Sequence, residues 1–502
     1  MRLNILYGGS AGTGPNILTN LVAVALFKRG YYVFYSRDYQ SLIRGGHNFN
    51  VLTFSDEPVY SNDSEIDIIV ALDENTVNLH KKELKKNGII LSGKHPNMYF
   101  AGRVFKLLCL EFSVLDEELK ELRNRYEENI KEAKKGYEEE TKKVCDVSKK
   151  IKNNVLFMNG NQAIAEGAIK SGVDIYYAYP MTPATGVLTE LAQRQVNSNI
   201  FVLELENETA VINAAIGSAI TGAKTFVGSS GGGFDLMTEG LSLCGIAEVP
   251  VVIYLSQRPG PATGVATYTM QGDLKLALNA GHGEFSRLVV APGDVVESQE
   301  LTSQCFYFSH RFKIPSIILS DKHLSESLYT QENKIKITKS EKTTKLERYN
   351  SYEKDKEGSA TEDAEIIKKN VENRLKKVKE IEKEALKFEQ FKVYGNKNSK
   401  NVVIGWGSTK GAILDAIGNE ELDCKFIQIL YMEPFPKYVK KEIEGKHLII
   451  VENNSTSQLS ELIAEKTNIT IEDKNKILRY DGRPFLADEL REEINERIGG
   501  KK

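Results

Sequence analysis

Apolar residues in this chain fall into short runs separated by stretches where they recur every three or four positions, so strands and helices alternate along most of its length. From the N-terminus, LNILYG reads as a strand, PNILTNLVAVALFKRG as a helix, and YYVFYS, IDIIVALD and GIILSG as further strands. Between 111 and 152 the pattern changes. Leu115, Leu119, Leu122, Tyr126, Ile130, Ala133 and Tyr137 recur at three- and four-residue steps amid dense Glu and Lys, which predicts one long amphipathic connecting helix. Short apolar runs resume at DIYYAYP, IFVLELE, AKTFVGS, VPVVIYLS, SRLVVAP and PSIILSD. Residues 331–396 are polar and lysine-rich and end in the helical run NVENRLKKVKEIEKEALKFEQF, after which NVVIGWGS, KFIQILYM and HLIIVENN read as the strands of a last block. The expected architecture is α/β, with three parallel-sheet domains at 1–110, 155–330 and 397–502. A charged helical linker at 111–154 and a polar insertion with a helix at 331–396 join them.

A chain of 502 residues is long enough for about three such cores. With 41% apolar and 27% charged residues and a formal net charge of -3, it has no electrostatic footprint for nucleic acid. No apolar stretch approaches the roughly 18 residues of a membrane span, and the N-terminus lacks the basic start of a secretion signal, so a cytoplasmic protein is expected. The five cysteines, Cys109, Cys145, Cys244, Cys305 and Cys424, lie far apart, and the seven histidines show no HExxH spacing. A metal or iron–sulfur cluster is therefore expected on another chain.

Chemistry is concentrated at the ends of the strands in the second block. YPMTPAT, ELENETA, SSGGGF and QRPGPATGVAT stand where ordinary turns would be, and in parallel sheets such carboxyl-end segments converge on one site. Glu208 opens a helix rich in small residues, after an apolar strand and an Asn207 that can cap it. Arg258 follows VVIYLSQ, where an isolated charge is costly unless it faces a pocket. The loop Ser229-Ser230-Gly231-Gly232-Gly233-Phe234 allows close backbone approach to a ligand. Glu208 and the loop each have a structural alternative: a carboxylate on the helix dipole, and a tight strand-to-helix turn. In the first block, the turn from Gly8 to Pro15 presents glycines and amides where a phosphate can sit, but its spacing is not GxGxxG.

These segments resemble, in order and spacing, the pyrimidine-binding domain of the alpha subunit of 2-oxoacid:ferredoxin oxidoreductases. The similarity begins at GNQAIAEGAIKSGVDIYYAYPMTPAT, where the family has Tyr-Pro-Ile-Thr-Pro, and runs through RPGPATGVAT to PSIILSDKHL. GWGSTKGAI, EPFP, VENNSTSQL and YDGRPF are similar to the same subunit's transketolase-like C-terminal domain, and the N-terminal block, with Arg44-Gly45-Gly46 and IDIIVALD, resembles the family's gamma subunit.

The resemblance implies decarboxylation of a 2-oxoacid on thiamin diphosphate, capture of the acyl group by coenzyme A, and electrons passed to ferredoxin. It places the activating glutamate on Glu208, nine residues before Gly217, with Glu204 and Glu206 as weaker substitutes. It puts Arg258 and Thr267 on the substrate carboxylate, Thr182 near the reacting carbonyl, and Tyr179, Pro180, Ser230, Gly231 and Gly232 beside the cofactor. Thiamin enzymes hold the diphosphate through magnesium on a GDG motif, which this chain lacks, so a beta subunit is expected to bring Mg2+ and a [4Fe-4S] cluster. The gamma-like part is expected to help cover coenzyme A, with the glycine turn and Arg44 as candidates.

Met181, Ala184, Ala262 and Ala266 depart from the family's usual residues in the substrate-facing segments, which leaves the oxoacid open. Two rival readings remain. One is a nicotinamide enzyme using the N-terminal fold, with Asp38 on a ribose, and the other is a noncatalytic scaffold.

Overall fold

The computed structural model describes residues 1–40, 45–122, 125–147, 154–342, 349–418 and 422–499. Arg44 lies outside them. The chain divides into two compact units: residues 1–158 with 327–333 and 486–490, and residues 159–326 with 334–485 and 491–502.

The first unit is built on a seven-stranded sheet ordered Leu84–Leu91, Ile66–Ala71, Arg2–Ala11, Gly45–Ser55, Tyr32–Tyr39, Leu328–Glu332, Val155–Asn159. The sheet is mixed, which corrects the expectation of an all-parallel one. Arg2–Ala11 runs parallel to Ile66–Ala71, but Gly45–Ser55 inserts between Arg2–Ala11 and Tyr32–Tyr39 and runs antiparallel to both. Gly45–Ser55 is hidden in the sequence because its polar residues are buried and satisfy other buried polar groups. Thr53 Oγ1 donates to Asn4 Oδ1 at 2.5 Å, Asn62 Nδ2 to Thr53 Oγ1 at 2.8 Å and Asn50 Nδ2 to Thr19 Oγ1 at 2.9 Å. With this hairpin in place, Asp38 pairs with Phe49 inside an antiparallel ladder. It does not end a parallel strand beside the glycine turn, which removes the support for the nicotinamide reading.

The single helix expected over 111–152 is two helices, Phe112–Glu121 and Tyr126–Glu139, with Arg125 in the left-handed region at φ 52°. The second packs closely on the helix Asn97–Leu107. A Cβ on Gly102 would lie 1.9 Å from the Ala133 carbonyl oxygen, and one on Gly136 would lie 1.9 Å from that of Tyr99. Leu115, Leu119 and Ala133 are fully buried, so the apolar stripe packs into the first unit's core.

In the second unit, a seven-stranded sheet is ordered Tyr431–Glu433, Leu288–Val290, Pro315–Asp321, Val251–Gln257, Thr225–Ser229, Ile175–Ala178, Phe201–Glu204. All neighbours are parallel except Tyr431–Glu433, which comes from the C-terminal part of the chain. Val251–Gln257 and Pro315–Asp321 are buried at every position, as continuous apolar runs between helical layers must be. A five-stranded sheet, Phe391–Gly395, Lys425–Ile429, Asn401–Trp406, His447–Glu452, Lys476–Leu478, completes this unit, parallel except at Phe391–Gly395. Three α/β sheets are thus present, as expected. The chain passes from Ile175–Ala178 outward to Phe201–Glu204 and then returns to the opposite side at Thr225–Ser229. This reversal opens a crevice at the carboxyl ends of the strands.

Candidate active site

Four strand ends meet at that reversal. Ile175–Ala178 leads into Tyr179–Pro183, Phe201–Glu204 into the helix Glu208–Ile220, Thr225–Ser229 into the short helix Gly231–Asp235, and Val251–Gln257 into Arg258. Asn207 caps its helix, its side chain accepting from the Ala210 amide at 2.9 Å. The cap fixes the first turn and directs Glu208 inward, where it is 2% exposed, whereas Glu204 and Glu206 are exposed.

The Glu208 carboxylate lies against the glycine loop. Ser229 Oγ donates to Glu208 Oε1 at 3.3 Å, and a Cβ on Gly233 would stand 2.3 Å from that same oxygen and 2.1 Å from Ser229 Oγ. Glycine is therefore required at position 233. Gly232 faces nothing nearer than the Ala262 carbonyl oxygen at 3.8 Å, so the close approach falls at Gly231 and Gly233. Ser230 Oγ is completely buried and has no hydrogen-bond partner among the described residues. A buried hydroxyl without a partner is costly unless a ligand or a water meets it. A buried carboxyl and an unpartnered buried hydroxyl thus stand at the glycine loop.

Arg258 is half-buried and donates from Nη1 to the Thr182 carbonyl at 2.8 Å, which joins the YPMTP turn to the strand end. Burial lowers its pKa, while the negative charges of Asp273 and Glu208 oppose that shift. The turn is braced from behind. Asn161 Nδ2 donates to the Pro183 carbonyl at 3.1 Å, and Tyr254 hydroxyl donates to Asn161 Oδ1 at 2.9 Å. Thr267 is half-buried in the loop between Arg258 and Asp273, and Tyr179 and Pro180 lie exposed at the rim.

Sequence reasoning missed Asp273. Its carboxylate lies over the same glycine loop, with Oδ2 2.6 Å from where a Cβ on Gly231 would be. Burial raises its pKa to about 6, with Asp235 adding to the shift and Arg258 opposing it. Its place in the irregular run after GPATGVAT gave no periodic signal, although its spacing from Gln257, whose Oε1 accepts from the Asp273 amide at 2.9 Å, marks where the loop returns to the strand end.

Among the described residues no cluster of three His, Cys, Asp or Glu side chains is arranged to hold a metal ion, and no described helix is long and apolar enough to cross a membrane.

Comparison with known proteins identifies the chain's relatives. The family model described as "Pyruvate flavodoxin/ferredoxin oxidoreductase, thiamine diP-bdg" matches residues 166–398, which contain Thr182, Glu208, Arg258, Thr267 and Asp273, and "Pyruvate ferredoxin/flavodoxin oxidoreductase" matches residues 4–101. A 2-oxoacid:ferredoxin oxidoreductase subunit alpha from Sulfolobus sp is 31% identical over 98% of this chain and 96% of its own length. A 2-oxoglutarate synthase subunit of Methanocaldococcus jannaschii is 28% identical over 60% of this chain and 88% of its own. In fold, the chain matches 2-oxoglutarate:ferredoxin oxidoreductase from Magnetococcus marinus, solved with 2-oxoglutarate, coenzyme A and succinyl-CoA bound, with a TM-score of 0.88, 22% identity and 99% of each chain covered. The chain therefore belongs to the 2-oxoacid:ferredoxin oxidoreductase family, whose curated alpha subunits it matches over 98% of its length.

Proposed function

We propose that Glu208, Thr182, Arg258 and Thr267 form the catalytic and substrate-binding half-site for oxidative decarboxylation of a 2-oxoacid, completed by a beta subunit. The observation that carries this reading is the buried Glu208 carboxyl against Ser229 and Gly233, beside the orphan hydroxyl of Ser230. Thiamin diphosphate, when bound, supplies a nucleophilic thiazolium carbon and the electron sink that decarboxylation needs. With the cofactor bound, Glu208 would hydrogen-bond the aminopyrimidine ring nitrogen, where the cofactor's own chemistry needs a proton held, Ser230 and the Gly231–Gly233 backbone would line the ring, and Tyr179 and Pro180 would form its rim. Arg258 receives the substrate carboxylate with the donors left after its bond to Thr182, Thr267 adds a hydroxyl, and Thr182 lies by the carbonyl.

Exposed apolar side chains stand on the segments that lead into the crevice, Tyr179, Leu236 and Val265, and on the edge strand Phe201–Glu204, Phe201 and Leu203. A rim of this kind suits a subunit that closes the site, and in this reading that beta subunit brings Mg2+ for the diphosphate and a [4Fe-4S] cluster for the electrons. Coenzyme A takes the acyl group, ferredoxin takes the electrons, and the complex works in the cytoplasm. The gamma-type part spans 1–110, the pyrimidine-binding domain 155–330 and the transketolase-like domain 397–502.

The test is reduction of a viologen by the native complex across a panel of pyruvate, 2-oxoglutarate, branched-chain and aryl oxoacids. Turnover that requires both thiamin diphosphate and coenzyme A is expected with at least one of them. No turnover with any of them, from a complex with intact clusters, would leave a scaffold in place of an enzyme.

A further inference from the structure

Two carboxylates flank one glycine loop in this site, and the half-site needs only one of them. Glu208 meets the loop at Gly233, and Asp273 meets it at Gly231. No hydrogen bond reaches the Asp273 carboxylate among the described residues, although Gln257 anchors its backbone. Arg258 stands near enough for each to perturb the other's ionisation, yet they form no direct ion pair. Arg258 spends one donor on Thr182 and leaves the rest of its guanidinium unused. A half-buried cation and a carboxylate that accepts no hydrogen bond among the described residues thus stand near each other unpaired. An anion received by Arg258 enters the field of Asp273, and two like charges in a desolvated site are not both kept.

We propose that Asp273 is a positioning residue that balances the charge of Arg258 in the free site, and that a 2-oxoacid carboxylate displaces this role only as Asp273 takes up a proton. The inference rests on the assignment of Arg258 as carboxylate receiver. The charged groups facing Asp273 are Asp235 on the short helix Gly231–Asp235 and Arg258 beyond the strand end, with Glu208 acting on Arg258 from its own helix. Burial pushes the Asp273 carboxyl up to about 6 in the free site, and an arriving carboxylate, as a like charge, raises it further. The binding-competent protonated form is thus about half populated near pH 6, nearly complete about a unit below, and depleted about tenfold per pH unit well above it, until pH reaches the bound-state value.

The experiment is titration of the complete complex with oxamate, which carries the carboxylate and adjacent carbonyl of a 2-oxoacid but is not decarboxylated. Calorimetry at pH 7.5 in two buffers of different ionisation enthalpy reads the protons taken up. The parent complex is expected to take up a fraction approaching one proton per site and to lose affinity about tenfold per pH unit above 6. Asp273→Asn, neutral at every pH, is expected to abolish the uptake, flatten the pH profile and bind oxamate more tightly than the parent at pH 7.5. Absence of proton uptake in the parent, persistence of uptake in Asp273→Asn, or loss of oxamate binding in a variant that melts like the parent would each overturn the proposal. Failure of the underlying assignment reads differently: Arg258→Lys would then leave oxamate affinity unchanged.

Discussion

At the residue scale, the site depends on a few close approaches that leave no room for substitution. Gly233→Ala places a methyl group 2.3 Å from Glu208 Oε1, so the carboxylate or the loop must shift. We expect this variant to bind thiamin diphosphate poorly in the assembled complex, measured as loss of cofactor retained after gel filtration. Arg258→Lys keeps the charge but loses the planar fork, and KM for the oxoacid should rise roughly tenfold to a hundredfold, with steady-state kinetics as the check. Much of this was legible in the sequence. The order of YPMTPAT, ELENETA, SSGGGF and QRPGPATGVAT brought out Thr182, Glu208 and Arg258, and the Asn207 cap followed from residue type alone. Asp273 was not legible, because its significance comes from desolvation and from Gly231 beneath it, and both depend on how a loop with no periodicity folds back.

At the scale of elements, close helix contact explains where pattern reading went astray. The heptad-like stripe from Leu115 to Tyr137 is real, but the chain breaks at Arg125 and the two helices pack separately, so one amphipathic period was read as one helix. The glycines give the distinction in hindsight. Gly102 and Gly136 are buried at a helix crossing where a Cβ would lie 1.9 Å from a carbonyl oxygen. Gly136→Ala is therefore expected to destabilise the first unit by about 1–3 kcal/mol, read as a lowered Tm, since overpacking forces the backbones apart. Similarly, Gly45–Ser55 escaped notice because its buried asparagines and threonine read as solvent-facing, while the hydrogen bonds that make them internal come from residues distant in sequence.

At the scale of the whole molecule, buried charge and pH set further conditions on the second unit. Lys410 is buried with Asp294 and Glu297, its Nζ 2.5 Å from Glu297 Oε1. Burial pushes the Asp294 carboxyl up, but the Lys410 ammonium and the amide of Glu297 outweigh it and hold it below the usual range. Lys410→Met leaves the buried Asp294 carboxylate without its cation, while Glu297 keeps Lys392 at 2.9 Å, and should cost about 3–5 kcal/mol, measured by denaturant unfolding. His310 works in the other direction. Burial, with help from Lys224, lowers its pKa from 6.5 to about 4. The unfolded chain therefore binds more protons than the folded one between those values, and stability falls by up to about 3 kcal/mol as pH drops through that window. Thermal melts from pH 7 to 4 should show the loss, and His310→Gln should reduce it. None of this bears on catalysis unless the crevice at the strand reversal is where the chemistry happens, and Glu208 tests that claim most directly. In the native complex, Glu208→Gln preserves size and hydrogen bonding but cannot ionise. Coenzyme-A-dependent viologen reduction is predicted to fall by about a hundredfold or more with folding intact, whereas turnover equal to the parent's would contradict the account.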